Sequence, residues 1–360
     1  MATTNPALES FLKSIPLFSL IEPTEMMDIL HLLRPVELEA GQVLFREKEP
    51  GKAMWVLGAG VEVSISTTPT GAKRPVAVAY ARSGDSVGEM ALIDDGPRSA
   101  TAVVVNGGHA HEILGVEFHA LRDGFRPGAF KVLRRICIDL CSKLRATSDR
   151  IVGAGNTSID TPAKDLGPRP SVEVLDQFAP FKPLPAVVKL ALAQKLRLLE
   201  VPEITPLFAE GEPSDGAYFL LEGEVSVGRN GKTLSNMVPG TMFGLVSAID
   251  SGRRSAACVT TGPAKLLKLN DKDFDALFAS GHRFAFQLVD LVARQLVSHL
   301  RNANAMLPLP GQAAGRAETS RPVTSMLVAV PDREKDLDIL PLELEMEIDV
   351  SVVGGGDLLG

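Results

Sequence analysis

Apolar residues alternate with polar ones at Val61, Val63 and Ile65, and again at Val225 and Val227, the period of a strand with one face buried. Glycines at Gly41, Gly60, Gly84, Gly223 and Gly240 punctuate these runs where turns are expected. Many short strands punctuated in this way predict a small antiparallel barrel. Further along, the apolar spacing lengthens to three and four residues. Phe130, Leu133, Ile136, Cys137, Leu140, Cys141 and Leu144 form one stripe behind Pro127 and Gly128, and Leu288, Leu291, Val292, Leu296 and Leu300 form another. Each stripe predicts a helix with one buried face. The expected architecture is mainly β with flanking helices, a barrel followed by a helix, twice over.

Direct self-comparison supports the doubling. "GEMALIDDGPRSATAV" from Gly88 returns as "GLVSAIDSGRRSAACV" from Gly244, so that Gly84, Gly88, Arg98 and Ser99 match Gly240, Gly244, Arg254 and Ser255 at an offset of 156. Upstream, Phe45, Glu49, Pro50 and Gly60 match Phe208, Glu212, Pro213 and Gly223 at an offset of 163, with Trp55 against Tyr218. The second copy is thus seven residues shorter, and the loss falls in "TTPTGAKRP", read as a hairpin tip. The expected domains are 1–153 and 174–307, joined by a Gly-, Pro-, Ser- and Thr-rich linker, 154–173. Residues 308–360 form an acidic tail in which Leu342, Leu344, Met346, Ile348, Val350 and Val352 alternate with other residues, the pattern of a strand that docks on the chain itself or on a partner.

Composition narrows the function. With 45% hydrophobic and 22% charged residues in 360, the chain can build two soluble cores. A formal net charge of -7 speaks against nucleic-acid binding by general attraction. No stretch of about 18 apolar residues runs without charge, so no membrane span is expected. Cys137, Cys141 and Cys258 are too few and scattered for a disulfide framework and read as core thiols of a cytoplasmic protein. His109 and His111 lack a third ligand at metal spacing, and no arrangement of catalytic residues is discernible, so neither metal nor enzymatic activity is expected.

The repeated string carries chemistry of another kind. Gly88 permits close backbone approach, and the amides of a turn through Met90, Ala91 and Leu92 offer donors to an anion. Arg98 adds a planar fork suited to phosphate. Glu89 would repel phosphate, so its expected role is to accept hydrogen bonds from neighbouring hydroxyls. A ligand with a phosphate beside a sugar hydroxyl suits both. The competing reading is a plain ion pair between Glu89 and Arg98.

"GEMALIDDGPRSA", together with the "AGQVLFREKEPG" turn upstream, resembles the phosphate-binding cassette of the cyclic-nucleotide-binding domain superfamily, which includes protein kinase regulatory subunits and bacterial cAMP-responsive regulators. The resemblance implies two tandem jelly-roll barrels. It gives Glu89 the ribose 2′-hydroxyl, Arg98 the cyclic phosphate, and the backbone of Gly88, Met90, Ala91 and Ala100 the rest of the cradle, with Ser99 adding a hydroxyl. Val87 stands where the family often has phenylalanine. The second copy has Leu245 at the carboxylate position, so Gly244, Arg254 and Ser255 are expected to form a weak or vestigial site, with Arg254 as a salt-bridging arginine.

The expected function is a non-enzymatic sensor of cAMP or cGMP with no other cofactor, reporting to an unidentified effector protein. Leu140 and Leu144 are the candidates for capping the base, and the two apolar helix stripes are compatible with a homodimer. The alternative is an interaction scaffold of degenerate domains. A transcription regulator would call for a recognition helix after Leu307 and a kinase regulatory subunit for a basic segment before the first barrel, where Lys13 is the sole base before Pro16, so both are less expected.

Overall fold

The computed structural model describes residues 13–152 and 167–307, apart from residues 70, 72, 73, 95 and 282. Most of the expected linker and the whole 308–360 tail, with its alternating segment, lie outside the described residues.

The first repeat opens with a 3₁₀ turn, Pro16–Phe18, and helix α1 (Met26–Leu30). Eight strands follow: β1 (Arg34–Leu38), β2 (Val43–Phe45), β3 (Ala53–Leu57), β4 (Glu62–Thr67), β5 (Val76–Arg82), β6 (Ser86–Val87), β7 (Thr101–Asn106) and β8 (Gly108–Leu114). They form two antiparallel sheets ordered β1-β8-β3-β6 and β2-β7-β4-β5, the antiparallel barrel that the alternation predicted and the jelly roll that the resemblance implied. Val63 and Ala102 are fully buried between the sheets. Helices α2 (Gly115–Asp123) and α3 (Pro127–Val152) complete the repeat.

The second repeat begins with α4 (Val172–Leu175), two residues inside the expected linker, a 3₁₀ turn Ala179–Phe181, and α5 (Ala186–Lys195). Its strands are β9 (Leu196–Val201), β10 (Pro206–Phe208), β11 (Ala217–Glu222), β12 (Val225–Arg229), β13 (Lys232–Met237), β14 (Met242–Phe243), β15 (Ala257–Thr260) and β16 (Ala264–Leu269), with α6 (Leu245–Asp250) after β14. Sheet orders β9-β16-β11-β14 and β10-β15-β12-β13 repeat those of the first barrel strand for strand. The seven-residue difference lies between β4 and β5, which are paired as a hairpin. Helices α7 (Asp271–Ala279) and α8 (Arg283–Ala305) follow.

The two long helices pack against each other. Leu133, Ile136, Cys137 and Leu140 of α3 are fully buried, as are Val289, Val292 and Leu296 of α8, and one apolar cluster runs from Phe118 and Ile136 through Val292 to Phe219 and Leu267. Burying a Val, Leu or Ile side chain contributes about 1.5–3 kcal/mol, so this interface dominates the joining of the repeats. Phe286 meets Phe130 and Phe125 at 5.5 and 5.6 Å. The apolar stripes that looked available for a second copy of the chain are therefore committed to each other within one chain.

All three cysteines are free and buried. Burial pushes the thiol pKa values of Cys137 and Cys141 well up and that of Cys258 to about 12, which keeps the nucleophilic thiolate scarce. Ellman's reagent at mildly alkaline pH should therefore label none of them in the folded chain and all three in concentrated guanidinium. Rapid labelling of the folded chain would contradict this packing.

Candidate functional site

The first cassette begins where β6 ends. Gly88 has φ +87°, a left-handed conformation that favours glycine, and a Cβ there would lie 2.7 Å from Arg98 Nη1. From Gly88 the chain enters a 3₁₀ turn, Glu89–Leu92. The Ala91 amide donates to the Gly88 carbonyl at 3.0 Å. This corrects the expectation that Ala91 would offer a free donor, because the tight turn uses it to close itself.

Arg98 is 8% exposed and lies beneath this turn. Nη1 donates to the Gly88 carbonyl at 3.1 Å and Nη2 to the Ala53 carbonyl at 2.6 Å. The guanidinium stacks 4.1 Å from the Phe45 ring centroid, with Trp55 beyond it. Its Nε has no acceptor among the described residues. Burial lowers the Arg98 pKa to about 10, against the raising influence of Glu89 and Glu49. The group remains charged at neutral pH, and its direct contacts are two carbonyls and a π face, with no carboxylate bonded to it.

The ion pair between Glu89 and Arg98 does not form. The buried Glu89 carboxylate instead pairs with Lys143 of α3. Burial opposes the Lys143 charge, but Glu89 and Asp139 raise its pKa. Leu140 and Leu144 are buried in the shared core, so it is Lys143 that reaches from the helix to the cassette. Ser99 Oγ donates to Met90 Sδ at 3.4 Å, and Ala100 is buried.

The second cassette starts from the same left-handed glycine but runs into helix α6, and its arginine is bonded to a carboxylate, Asp215, that also pairs with Lys268 at 2.7 Å. Gly244 again has positive φ, with Arg254 beneath it, and Arg254 lies 4.0 Å from the Phe208 ring centroid. Arg254 Nη1 donates to the Gly244 carbonyl at 2.9 Å and to Ser247 Oγ at 2.8 Å. Nη2 bonds the Gly216 carbonyl at 2.8 Å and forms an ion pair with Asp215. The matching positions in the first repeat are Ala91 for Ser247 and Lys52 for Asp215, so neither extra partner exists there. Arg254 thus stands as the salt-bridging arginine that the sequence suggested.

A cavity of about 350 Å³ opens beside Arg254 and Ser255, and carboxylates also hold its other principal arginines. Arg145 chelates Asp250 at 2.6 and 2.9 Å, and Arg229 pairs with Glu210 and Asp149. Leu245 is 2% exposed within the shared core. The helix position matching Lys143 is His299, whose pKa burial lowers to about 4. Both halves of the Glu89–Lys143 pair are thus replaced by neutral groups in the second repeat.

Self-comparison at the two offsets carried the signal for Lys52 against Asp215 and Lys143 against His299, although neither position belongs to the motif itself. Among the described residues no group of His, Cys, Asp and Glu could hold a metal ion, and no helix is long and apolar enough to cross a membrane.

A two-sheet roll with a glycine-started turn over a buried arginine is present twice. The sequence model described as "Cyclic nucleotide-binding domain" matches residues 35–123 and 198–280, and the chain belongs to that family. A cAMP-dependent protein kinase regulatory subunit of Dictyostelium discoideum is 30% identical over 282 residues, covering 76% of this chain and 74% of the relative. A CRP-like cAMP-activated global transcriptional regulator of Mycobacterium tuberculosis is 28% identical over 129 residues, covering 34% of this chain. The match spans 58% of that regulator's length. The solved regulatory domain of Toxoplasma gondii PKA with cAMP is 21% identical, covering 77% of this chain and 92% of its own, with a TM-score of 0.30.

The packing around Leu245 makes a direct prediction. Leu245→Glu, the change that restores the first cassette's carboxylate by sequence, buries an unpaired charge in the shared core and should destabilise the chain by about 3 kcal/mol or more. Guanidinium unfolding monitored by circular dichroism checks this. An unchanged midpoint would show that Leu245 is not packed as described.

Proposed function

We propose that this chain is a non-enzymatic cyclic-nucleotide sensor that takes its ligand, cAMP, at the first cassette. The observation that carries the reading is Arg98, a buried cation that, unlike Arg254, has no carboxylate bonded to it; the Nε of both arginines lacks an acceptor among the described residues. A phosphate oxygen would supply the missing acceptor, and charge-assisted hydrogen bonds are about twice as strong as neutral ones. Glu89, adjacent in the turn, suits a ribose hydroxyl. Two relatives described above are named for cAMP dependence or activation, which favours that nucleotide over cGMP.

Ligand entry brings a hydroxyl to the carboxylate that Lys143 holds, so occupancy and the position of α3 are linked. A ligand that interacts differently with two helix positions shifts the population between them. An effector protein reading that shift is the expected partner. The three free thiols suit a reducing compartment, and the cytoplasm is the expected location. No cofactor other than the nucleotide is required.

Calorimetric titration of the full chain with cAMP and cGMP tests the reading. Arg98→Ala should weaken binding by about 2 to 3 kcal/mol, roughly 30- to 160-fold, and Arg98→Lys should also bind weakly because it keeps the charge but loses the fork. Equal binding by wild type and both variants would remove Arg98 from the site. No binding by the wild type would favour the interaction scaffold.

A further inference from the structure

The first cassette is held by a residue from the other repeat. Arg301, near the end of α8, places Nη1 2.6 Å from Asp94 Oδ2 and Nη2 2.8 Å from Asp94 Oδ1. Asp94 follows the 3₁₀ turn directly: its amide donates to the Met90 carbonyl, and its carboxylate accepts the Gly96 amide at 3.2 Å. The carboxylate therefore ties together the segment that runs from the turn to Arg98.

Gly96 leaves room for this contact. A Cβ there would lie 2.6 and 2.7 Å from the Arg301 amino nitrogens. A second contact from α8 reaches the same segment through Arg122, which donates to the carbonyls of Leu92 and Ile93 and pairs with Asp290 at 3.2 Å. The arrangement is reciprocal, since Arg145 of α3 chelates Asp250 of the second cassette and lies where a Cβ on Gly252 would go. Arg145 and Arg301, Asp94 and Asp250, and Gly96 and Gly252 each match at the offset of 156.

We propose that Arg301 is a positioning residue for the ligand site of the first repeat, so that the first cassette reaches its binding geometry only when α8 of the second repeat is docked on it. The inference rests on the proposed cyclic-nucleotide site. Arg301 bonds none of the groups assigned to the ligand; it acts through Asp94, fixing the distance between the turn and Arg98. Burial works against the Asp94 carboxylate, yet the hydrogen bond and charge of Arg301 carry its pKa below the ordinary value.

The test is calorimetric titration of the full chain with cAMP, together with melting of the ligand-free forms. Arg301→Gln and Asp94→Asn should each weaken binding about tenfold, and the double variant no further, because both remove one coupling. Gly96→Ala alters no charge and should also weaken binding by crowding the guanidinium. Exchanging the pair, Asp94→Arg with Arg301→Asp, should recover part of the loss, which a general loss of stability would not allow. Ligand-free melting temperatures should stay close to wild type. Wild-type binding with unchanged affinity in Arg301→Gln and Gly96→Ala would overturn this inference alone, as would losses that add in the double variant. Absence of binding in the wild type would overturn the functional reading and this inference with it.

Discussion

A guanidinium withdrawn from water must find negative charge or give up much of its hydration energy. Two such groups, Arg98 and Arg254, lie in matching places beneath matching glycines, and the difference between the repeats follows from how each is satisfied. Arg254 has Asp215 and Ser247. Arg98 has two backbone carbonyls and the face of Phe45. The anion site proposed for the first cassette rests on that difference, a bonded carboxylate at Arg254 and none at Arg98.

The second constraint is the pairing of α3 with α8. Each helix extends from its own barrel, buries its apolar stripe on the other, and ends with an arginine on the opposite cassette. Lys143 and Arg145 are two residues apart on α3, yet one holds Glu89 of the first cassette and the other Asp250 of the second. A displacement of α3 is therefore felt at both cassettes.

Much of the fold was legible in the sequence because strand alternation and helix stripes are local patterns. The stripe from Phe130 to Leu144 became the buried face of α3, and the cassette string became the glycine turn over Arg98. What escaped sequence reading was long-range. Nothing local to Glu89 indicates that Lys143, 54 positions away, holds it. Nor does anything near Asp94 point to Arg301, 207 positions away. The two apolar stripes are a case of the same kind, since a stripe shows that a helix needs a partner without showing that the partner lies in the same chain.

A carboxylate on the arginine, and not the fold, sets the second cassette apart from the first. Equilibrium dialysis of the full wild-type chain with labelled cAMP, carried to saturation, tests it most directly. The account predicts one nucleotide bound per chain, in a single phase. Two nucleotides bound per chain with equal affinity would contradict it, because Arg254 would then accept a phosphate while already bonded to Asp215.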